Sequence, residues 1–149
     1  MEILIINGPN LNLLGRREPA LYGTRSFEDF FPDLQAAFPA LTLSHFQSNH
    51  EGALIDQLHE AGFRAHGIVL NAGGLTHTSV ALADAVAAIA APVVEVHLTN
   101  LAAREDFRQK SLLGRYCAGS ISGFGLESYR LALHWFASQQ RKRVGFGAK

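Results

Sequence analysis

The chain has 149 residues, in which 13 lysines and arginines balance 13 aspartates and glutamates, so its overall charge attracts neither nucleic acid nor an anionic membrane. This length predicts a single domain with one hydrophobic core. The only cysteine, Cys117, excludes an intramolecular disulfide, and the N-terminus lacks the apolar segment of a signal peptide, so we expect a cytoplasmic protein.

The first predicted element is a strand over the apolar residues 3–6, which leads into the polar loop NGPNLNLLGRREPALYG at 7–23. The glycines of this loop do not have the spacing of a nucleotide-binding motif. Arg17 and Tyr22 lie in the loop, and a guanidinium near a tyrosine stabilises the phenolate, which can act as a base. An aromatic residue that closes a loop, with arginines facing water, explains the same pattern.

Two further strands are predicted over 41–46 and 67–70. The first leads to a helix over 51–62, and the second leads through the polar turn NAGGLTHTS to an alanine-rich helix over about 77–91. This helix has a face of small residues around Asp84, which suggests a contact between subunits, although a solvated carboxylate explains Asp84 as well. Its apolar stretch is too short to span a membrane.

The fourth predicted strand, 92–98, places Glu95 and His97 on one face, because side chains alternate along a strand. A carboxylate beside an imidazole favours its protonated form and orients it, as a general acid requires. A purely structural pair would have the same spacing. Arg104 and Arg108 follow on one face of a predicted short helix, where they suit a polar or anionic substrate or surface ion pairs with neighbouring carboxylates.

A fifth strand is predicted over 116–122, followed by a helix that ends at about residue 140 and a flexible basic tail over about 141–149. Alternating strands and helices predict a parallel sheet with helices on both faces, and ligands bind such sheets at the carboxyl ends of the strands. The polar loops after the first, third and fourth strands should therefore meet. The seven histidines lack the spacing of metal ligands, and a serine nucleophile motif is absent.

Four stretches of the chain resemble, in the same order, the motif blocks of the type II 3-dehydroquinate dehydratases: NGPNLNLLGRREPALYG, FQSNHEGALID, LNAGGLTHTSVALADA and PVVEVHLTNLAAREDFRQKS. The late segments GSISGFG and YRLAL resemble the closing part of that family. The resemblance implies one catalytic domain over 1–149 with a flavodoxin-like α/β fold, a five-stranded parallel sheet of order 2-1-3-4-5 and helices on both faces.

The resemblance also implies an activity, namely the dehydration of 3-dehydroquinate to 3-dehydroshikimate. This lyase reaction belongs to the shikimate pathway of aromatic amino acid biosynthesis or to the breakdown of quinate. The resemblance implies no metal, no cofactor and no lysine Schiff base. It further implies a homo-oligomer in which trimers assemble into a dodecamer.

The resemblance assigns roles to individual side chains. Tyr22 matches the base, Arg17 the arginine that activates it, and Asn10 the residue that holds a water against the enolate. His97 matches the general acid, with Glu95 behind it. The substrate-holding positions are Asn71, His77, Asp84, Leu98, Thr99 and Arg108, among which Asp84 would reach the site of a neighbouring subunit.

The chain departs from the usual family pattern at a few positions. Ala72 follows Asn71 where proline is more common, Gly74-Leu75 replaces Ala-Tyr, and Thr99 stands where serine is usual. Threonine keeps the hydroxyl, and the extra glycine keeps the turn. We therefore expect these changes to affect affinity more than the reaction.

Two other functions remain to be weighed against the dehydratase. A non-catalytic flavodoxin-like binding protein should have lost a chemical group, yet Tyr22, Arg17, His97 and Asn10 are all present. A lyase for a related polyol acid should have altered the substrate-holding groups, and these are also present. The sequence therefore favours the dehydratase.

Overall fold

The computed structural model describes residues 1–145. The strands are β1 (Glu2–Asn7), β2 (Thr42–Gln47), β3 (Gly67–Asn71), β4 (Val93–His97) and β5 (Gly119–Ser122). All neighbouring strands run parallel, in the order β2-β1-β3-β4-β5. This topology confirms the flavodoxin-like α/β fold. The predicted strand bounds differ most at β5, which begins at Gly119 because Gly114–Tyr116 form a 3-10 turn.

The helices are α1 (Pro19–Tyr22), α2 (Phe27–Ala37), α3 (Glu51–Ala61), α4 (Val80–Ala88) and α5 (Glu127–Gly145). Helix α4 is shorter than predicted, because residues 73–77 form a separate 3-10 turn and Ile89 is extended. Helix α5 runs beyond the predicted end at about residue 140. Part of the expected tail over 141–149 is therefore helical, and residues 146–149 lie outside the described part of the chain.

Helix α2 is absent from the sequence-based assignment. Ser26 caps it, since its Oγ accepts a hydrogen bond from the Asp29 N–H at 3.1 Å, and Glu28 and Asp29 lie in the first turn, where acidic side chains favour a helix. Pro32 lies inside the helix and removes one backbone hydrogen bond. The N-terminal cap at Ser26 is the feature of the sequence that indicates a helix here. Pro32 argues against a helix, because proline is unfavourable inside one.

The helices cover both faces of the sheet, as predicted. On one face, Ile3 and Ile5 of β1 pack with α2 and α5, whose buried side chains include Phe27, Phe30, Leu34, Tyr129, Leu133 and Phe136. On the other face, Leu4 and Ile6 pack with α3 and α4 through Leu54, Leu58, Leu82 and Val86. The alternation along β1 follows from the two-residue period of a strand. None of the helices within residues 1–145 has the length and hydropathy that crossing a membrane requires.

The loops after β1 and β3 are in direct contact at the carboxyl edge of the sheet. The Gly8 N–H donates to the Asn71 carbonyl at 2.8 Å. A Cβ on Gly8 would lie 2.6 Å from the Ala72 carbonyl oxygen, so only glycine allows this approach. The contact brings the start of the first loop against the polar turn after β3, where the sequence predicts the site.

Candidate active site

A cavity of about 120 Å³ opens at the carboxyl edge of the sheet. Most of the predicted site residues line it: Asn10, Arg17, Tyr22, Asn71, His77, His97, Leu98, Thr99 and Arg108. Glu95 lies behind His97, as predicted. Asp84 is exposed on α4 and is not among the residues that line this cavity, so its expected role in a neighbouring subunit's site stays a prediction.

His97 and Glu95 form a buried pair, with side chains 6% and 2% exposed. The His97 Nε2 lies 2.9 Å from Glu95 Oε1, since both side chains project from the same face of β4. The other ring nitrogen, Nδ1, is therefore the one left for a ligand in the cavity. This geometry fits the predicted relation of an acid and its orienting carboxylate.

Glu95 receives two further hydrogen bonds from side chains, from Ser111 Oγ at 2.6 Å and from Ser120 Oγ at 2.7 Å. Burial by itself favours the neutral carboxyl, but the hydrogen bonds from His97 and the two serines outweigh it and hold the pKa of Glu95 below its ordinary value. The carboxylate next to His97 is therefore ionised near neutral pH.

Tyr22 lies at the end of α1, above the cavity. The Arg17 guanidinium carbon is 5.3 Å from the centre of the Tyr22 ring, so Arg17 contacts the ring. The Tyr22 hydroxyl instead accepts a hydrogen bond from Arg104 Nη1 at 3.3 Å. Two guanidinium groups thus flank the phenol, although only one of them belongs to the predicted pair.

Arg104 lines the cavity; the sequence offered it with Arg108 as a substrate-binding candidate, but the resemblance assigns a role only to Arg108. Arg104 Nη1 donates to Thr99 Oγ1 at 3.1 Å as well as to Tyr22. The expected short helix is divided into Leu101–Ala103 and Asp106–Arg108, with Arg104 extended between them, so the two arginines do not share a helix face. The sequence showed that both arginines follow β4, but their spacing did not indicate that Arg104 would contact Tyr22.

Arg108 also lines the cavity, as predicted. Its Nε lies 3.3 Å from Glu105 Oε2 but makes no hydrogen bond there. The Arg108 side chain as a whole is 28% exposed, although its Nε is buried. The positive charge of Arg108 therefore lies near a carboxylate, but its Nε–H is not engaged in a hydrogen bond. Such a group can bind a polar ligand.

Asn71 belongs to a fully buried amide and phenol network. The Tyr129 hydroxyl donates to Asn7 Oδ1 at 2.7 Å and accepts from Asn71 Nδ2 at 2.9 Å. Asn71 Oδ1 accepts from the Gly73 N–H at 3.3 Å. These bonds fix which side of the Asn71 amide is oxygen and which is nitrogen. Tyr129 is not among the predicted site residues.

His77 projects into the cavity from the 3-10 turn after β3. Its Nδ1 is 2.7 Å from the Lys110 carbonyl oxygen, and that carbonyl can only accept, so Nδ1 carries a proton and Nε2 is left for the cavity. The ring stacks on His97 with 6.2 Å between ring centres. The site thus presents two imidazoles side by side, each held through one nitrogen.

The segment after β2 contacts Asn10, whose backbone has the left-handed φ of 69°. The Asn10 N–H donates to Asn49 Oδ1 at 2.9 Å. Gln47 Nε2 bridges Asn49 Oδ1 and the Gly8 carbonyl oxygen at 3.1 and 3.2 Å. The block FQSNHEGALID therefore supports the loop that carries Asn10, a role that its sequence did not reveal.

Within residues 1–145, no cluster of three or more histidine, cysteine, aspartate or glutamate side chains has an arrangement that would hold a metal ion. The cavity instead combines one carboxylate-bound imidazole, a phenol beside two guanidinium groups, and several amide and hydroxyl groups. Such a set can remove a proton, stabilise an oxyanion and protonate a leaving group.

Comparisons with known proteins match nearly the whole chain. The family model described as dehydroquinase class II matches residues 1–137. A protein from an Exiguobacterium species named 3-dehydroquinate dehydratase is 55% identical over 144 residues, which are 96% of this chain and 99% of that protein. The type II dehydroquinase structure from Butyrivibrio crossotus matches with a TM-score of 0.87 and 42% identity, over 91% of this chain and 96% of that one. The corresponding structure from Propionibacterium acnes matches with a TM-score of 0.88 and 39% identity, over 92% and 96%.

Proposed function

Because the chain belongs to the class II dehydroquinase family, which dehydrates 3-dehydroquinate in the shikimate pathway, we propose that its cavity performs this lyase reaction through an enolate. Tyr22 is the base and His97 the general acid. The observation that supports this proposal is that the phenol, flanked by guanidinium groups, and the carboxylate-bound imidazole line one cavity.

Tyr22 removes a proton from the carbon beside the substrate ketone. A phenol does this near neutral pH only where its anion is stabilised, and nearby positive charge provides that stabilisation. Arg17 lies against the ring and Arg104 donates to the hydroxyl. These contacts support the proposal that Arg17 activates the base together with Arg104, which contacts the oxygen directly.

Removal of the proton leaves an enolate, whose oxygen carries developing negative charge. Asn10 lines the cavity on the loop that Asn49 holds in place, and it binds the water that donates to this oxygen. Removing one such preorganised donor in other enzymes costs about 2.7–4 kcal/mol of transition-state stabilisation.

His97 completes the reaction by giving a proton to the departing tertiary hydroxyl, which leaves as water. Glu95 occupies Nε2, so the transferred proton comes from Nδ1. The carboxylate stabilises the imidazolium that exists before the transfer, and it keeps the ring oriented while the bond to the hydroxyl breaks.

The remaining predicted residues hold the substrate. Asn71, His77 and Arg108 bind the ring hydroxyls, and the backbone at Leu98 and Thr99 binds the carboxylate. Asp84 acts in the site of a neighbouring subunit, within trimers that form a dodecamer. No cofactor takes part in the reaction, and both a biosynthetic role and a role in quinate breakdown fit this chemistry.

Purified protein mixed with 3-dehydroquinate tests the proposal, because the conjugated product absorbs in the ultraviolet. We expect activity that survives both a chelator and borohydride, since neither a metal nor a Schiff base is involved. Tyr22→Phe should reduce kcat to below a few per cent with little change in substrate binding. Tyr116→Phe, a matched change at an exposed tyrosine outside the cavity, should retain full activity. A Tyr22→Phe variant with substantial turnover would remove Tyr22 as the base.

A further inference from the structure

The Glu95 carboxylate is the centre of a hydrogen-bond cluster that extends beyond His97. Oε1 accepts from His97 Nε2 and Ser111 Oγ, and Oε2 accepts from Ser120 Oγ. Ser111 lies in the loop between β4 and β5, whereas Ser120 lies on β5 directly opposite Glu95 in the sheet. Neither serine is a predicted site residue, and neither lines the cavity.

The surroundings of Ser111 fix the direction of its bond to Glu95. Ser111 Oγ accepts from the backbone N–H groups of Leu113 at 3.2 Å and Gly114 at 2.9 Å. Its lone pairs are thereby used, and its single proton is directed at Glu95 Oε1. Gly114 permits this close packing, because a Cβ there would lie 3.0 Å from Glu95 Oε2.

The donors around Glu95 require an acceptor in return. An ionised carboxylate only accepts, whereas a neutral carboxyl would also have to place its own proton on a neighbour. Donation by both serines therefore matches an ionised Glu95. An ionised Glu95 in turn requires an N–H at His97 Nε2, so the cluster decides which imidazole nitrogen is bound and which faces the cavity.

Two titratable side chains flank this cluster. Burial and the charge of Glu95 raise the pKa of Cys117 to about 12, so the thiol is neutral and adds no second anion. His77 stacks on His97 but directs its Nδ1 to the Lys110 carbonyl oxygen. Neither group replaces the serines as a hydrogen-bond donor to Glu95.

We infer that Ser111 and Ser120 are positioning residues that keep Glu95 an acceptor-only carboxylate and thereby hold His97 with Nδ1 toward the cavity. The inference rests on the proposed role of His97 as the general acid. Without one hydroxyl, Glu95 takes up a proton at a higher pH. A protonated carboxyl no longer stabilises the imidazolium, and where it donates to His97 Nε2 the ring is neutral and is therefore a weaker acid.

The sharpest test compares Ser120→Val with Ser120→Thr, because the two new side chains have nearly the same shape and differ in the hydroxyl. The pH dependence of kcat should retain its acidic limb in Ser120→Thr. In Ser120→Val the limb should move up by about one pH unit, because a hydrogen bond to a charged group has an effect of that order. At a pH low enough to lie on the acidic limb of both variants, kcat of Ser120→Val should be about tenfold below that of Ser120→Thr, while KM stays unchanged.

His97→Ala separates the failure of this inference from the failure of the proposed function. If His97→Ala keeps its kcat, His97 is not the acid and the proposed function is wrong at that step. If His97→Ala is inactive but Ser120→Val and Ser120→Thr have the same acidic limb, the serine inference is overturned. Ser111→Ala provides a second variant with the same expected shift if Ser120→Val does not fold, and an unshifted limb in Ser111→Ala then overturns the inference.

Discussion

Replacement of Tyr129 by phenylalanine tests the buried network that holds Asn71. Tyr129 is fully buried, and burial raises the pKa of its hydroxyl, so the group is a neutral donor to Asn7 at 2.7 Å and an acceptor from Asn71 at 2.9 Å. Tyr129→Phe leaves both amide groups without this partner. Each buried polar group that loses its partner costs about 1–3 kcal/mol, so for the two groups we expect a loss of about 2–6 kcal/mol in the free energy of unfolding.

Urea unfolding at equal protein concentrations measures this loss, and the slope of the unfolding free energy against urea should stay unchanged. Tyr116→Phe is the control, since Tyr116 is 42% exposed and such surface changes stay within about 0.5 kcal/mol. We also expect a higher KM for 3-dehydroquinate, because the Asn71 amide is no longer held in one orientation. A Tyr129→Phe variant as stable as the control would show that the two amides do not depend on the hydroxyl.

Two further predictions concern stability. The pKa of Glu95 is lowered in the folded protein, so its carboxylate stabilises the fold above the ordinary glutamate pKa of about 4.3 and this contribution is lost as the pH falls through the lower folded value. The stability difference between the wild type and Glu95→Gln should therefore be largest above about pH 5 and shrink toward pH 3, and a difference independent of pH would contradict the ionised pair. Gly67→Ala should destabilise the protein by about 1–3 kcal/mol, because its Cβ would lie 2.1 Å from the buried Phe136 ring. The control is Gly119→Ala, at the start of β5, where a Cβ has open space around it. Equal melting temperatures of the two variants would contradict the close packing of Gly67 against Phe136.

Local patterns in the sequence located the parts of the site that depend on one strand or one loop. Glu95 and His97 were predictable as a pair, because two residues on one strand share a face whatever the rest of the fold does. Arg17, Tyr22 and Asn10 belong to one loop by their positions in the sequence, and the resemblance assigned their roles. Their presence around one cavity then followed from the parallel sheet, whose polar loops share an edge.

Contacts between distant segments were not predictable from such patterns. Arg104 reaches the Tyr22 hydroxyl across 82 positions of the chain, and Tyr129 reaches Asn7 across 122. Ser120 meets Glu95 only through the pairing of β4 with β5. Which side chain donates to a particular oxygen depends on these contacts between distant segments. A single sequence does not specify such contacts.

The sequence by itself determined the five strands, the helices α3, α4 and α5, the sheet's two apolar faces and the chemical groups of the site. These features follow from periodicity and residue type, which are local properties of the chain. Only the tertiary structure decided which arginine contacts the phenol oxygen, which side of the Asn71 amide is fixed, and which nitrogen of His97 faces the cavity. The first two depend on hydrogen bonds between groups far apart in sequence. The third depends on the His97–Glu95 bond, whose direction is set when the folded chain brings Ser111 and Ser120 within reach of Glu95.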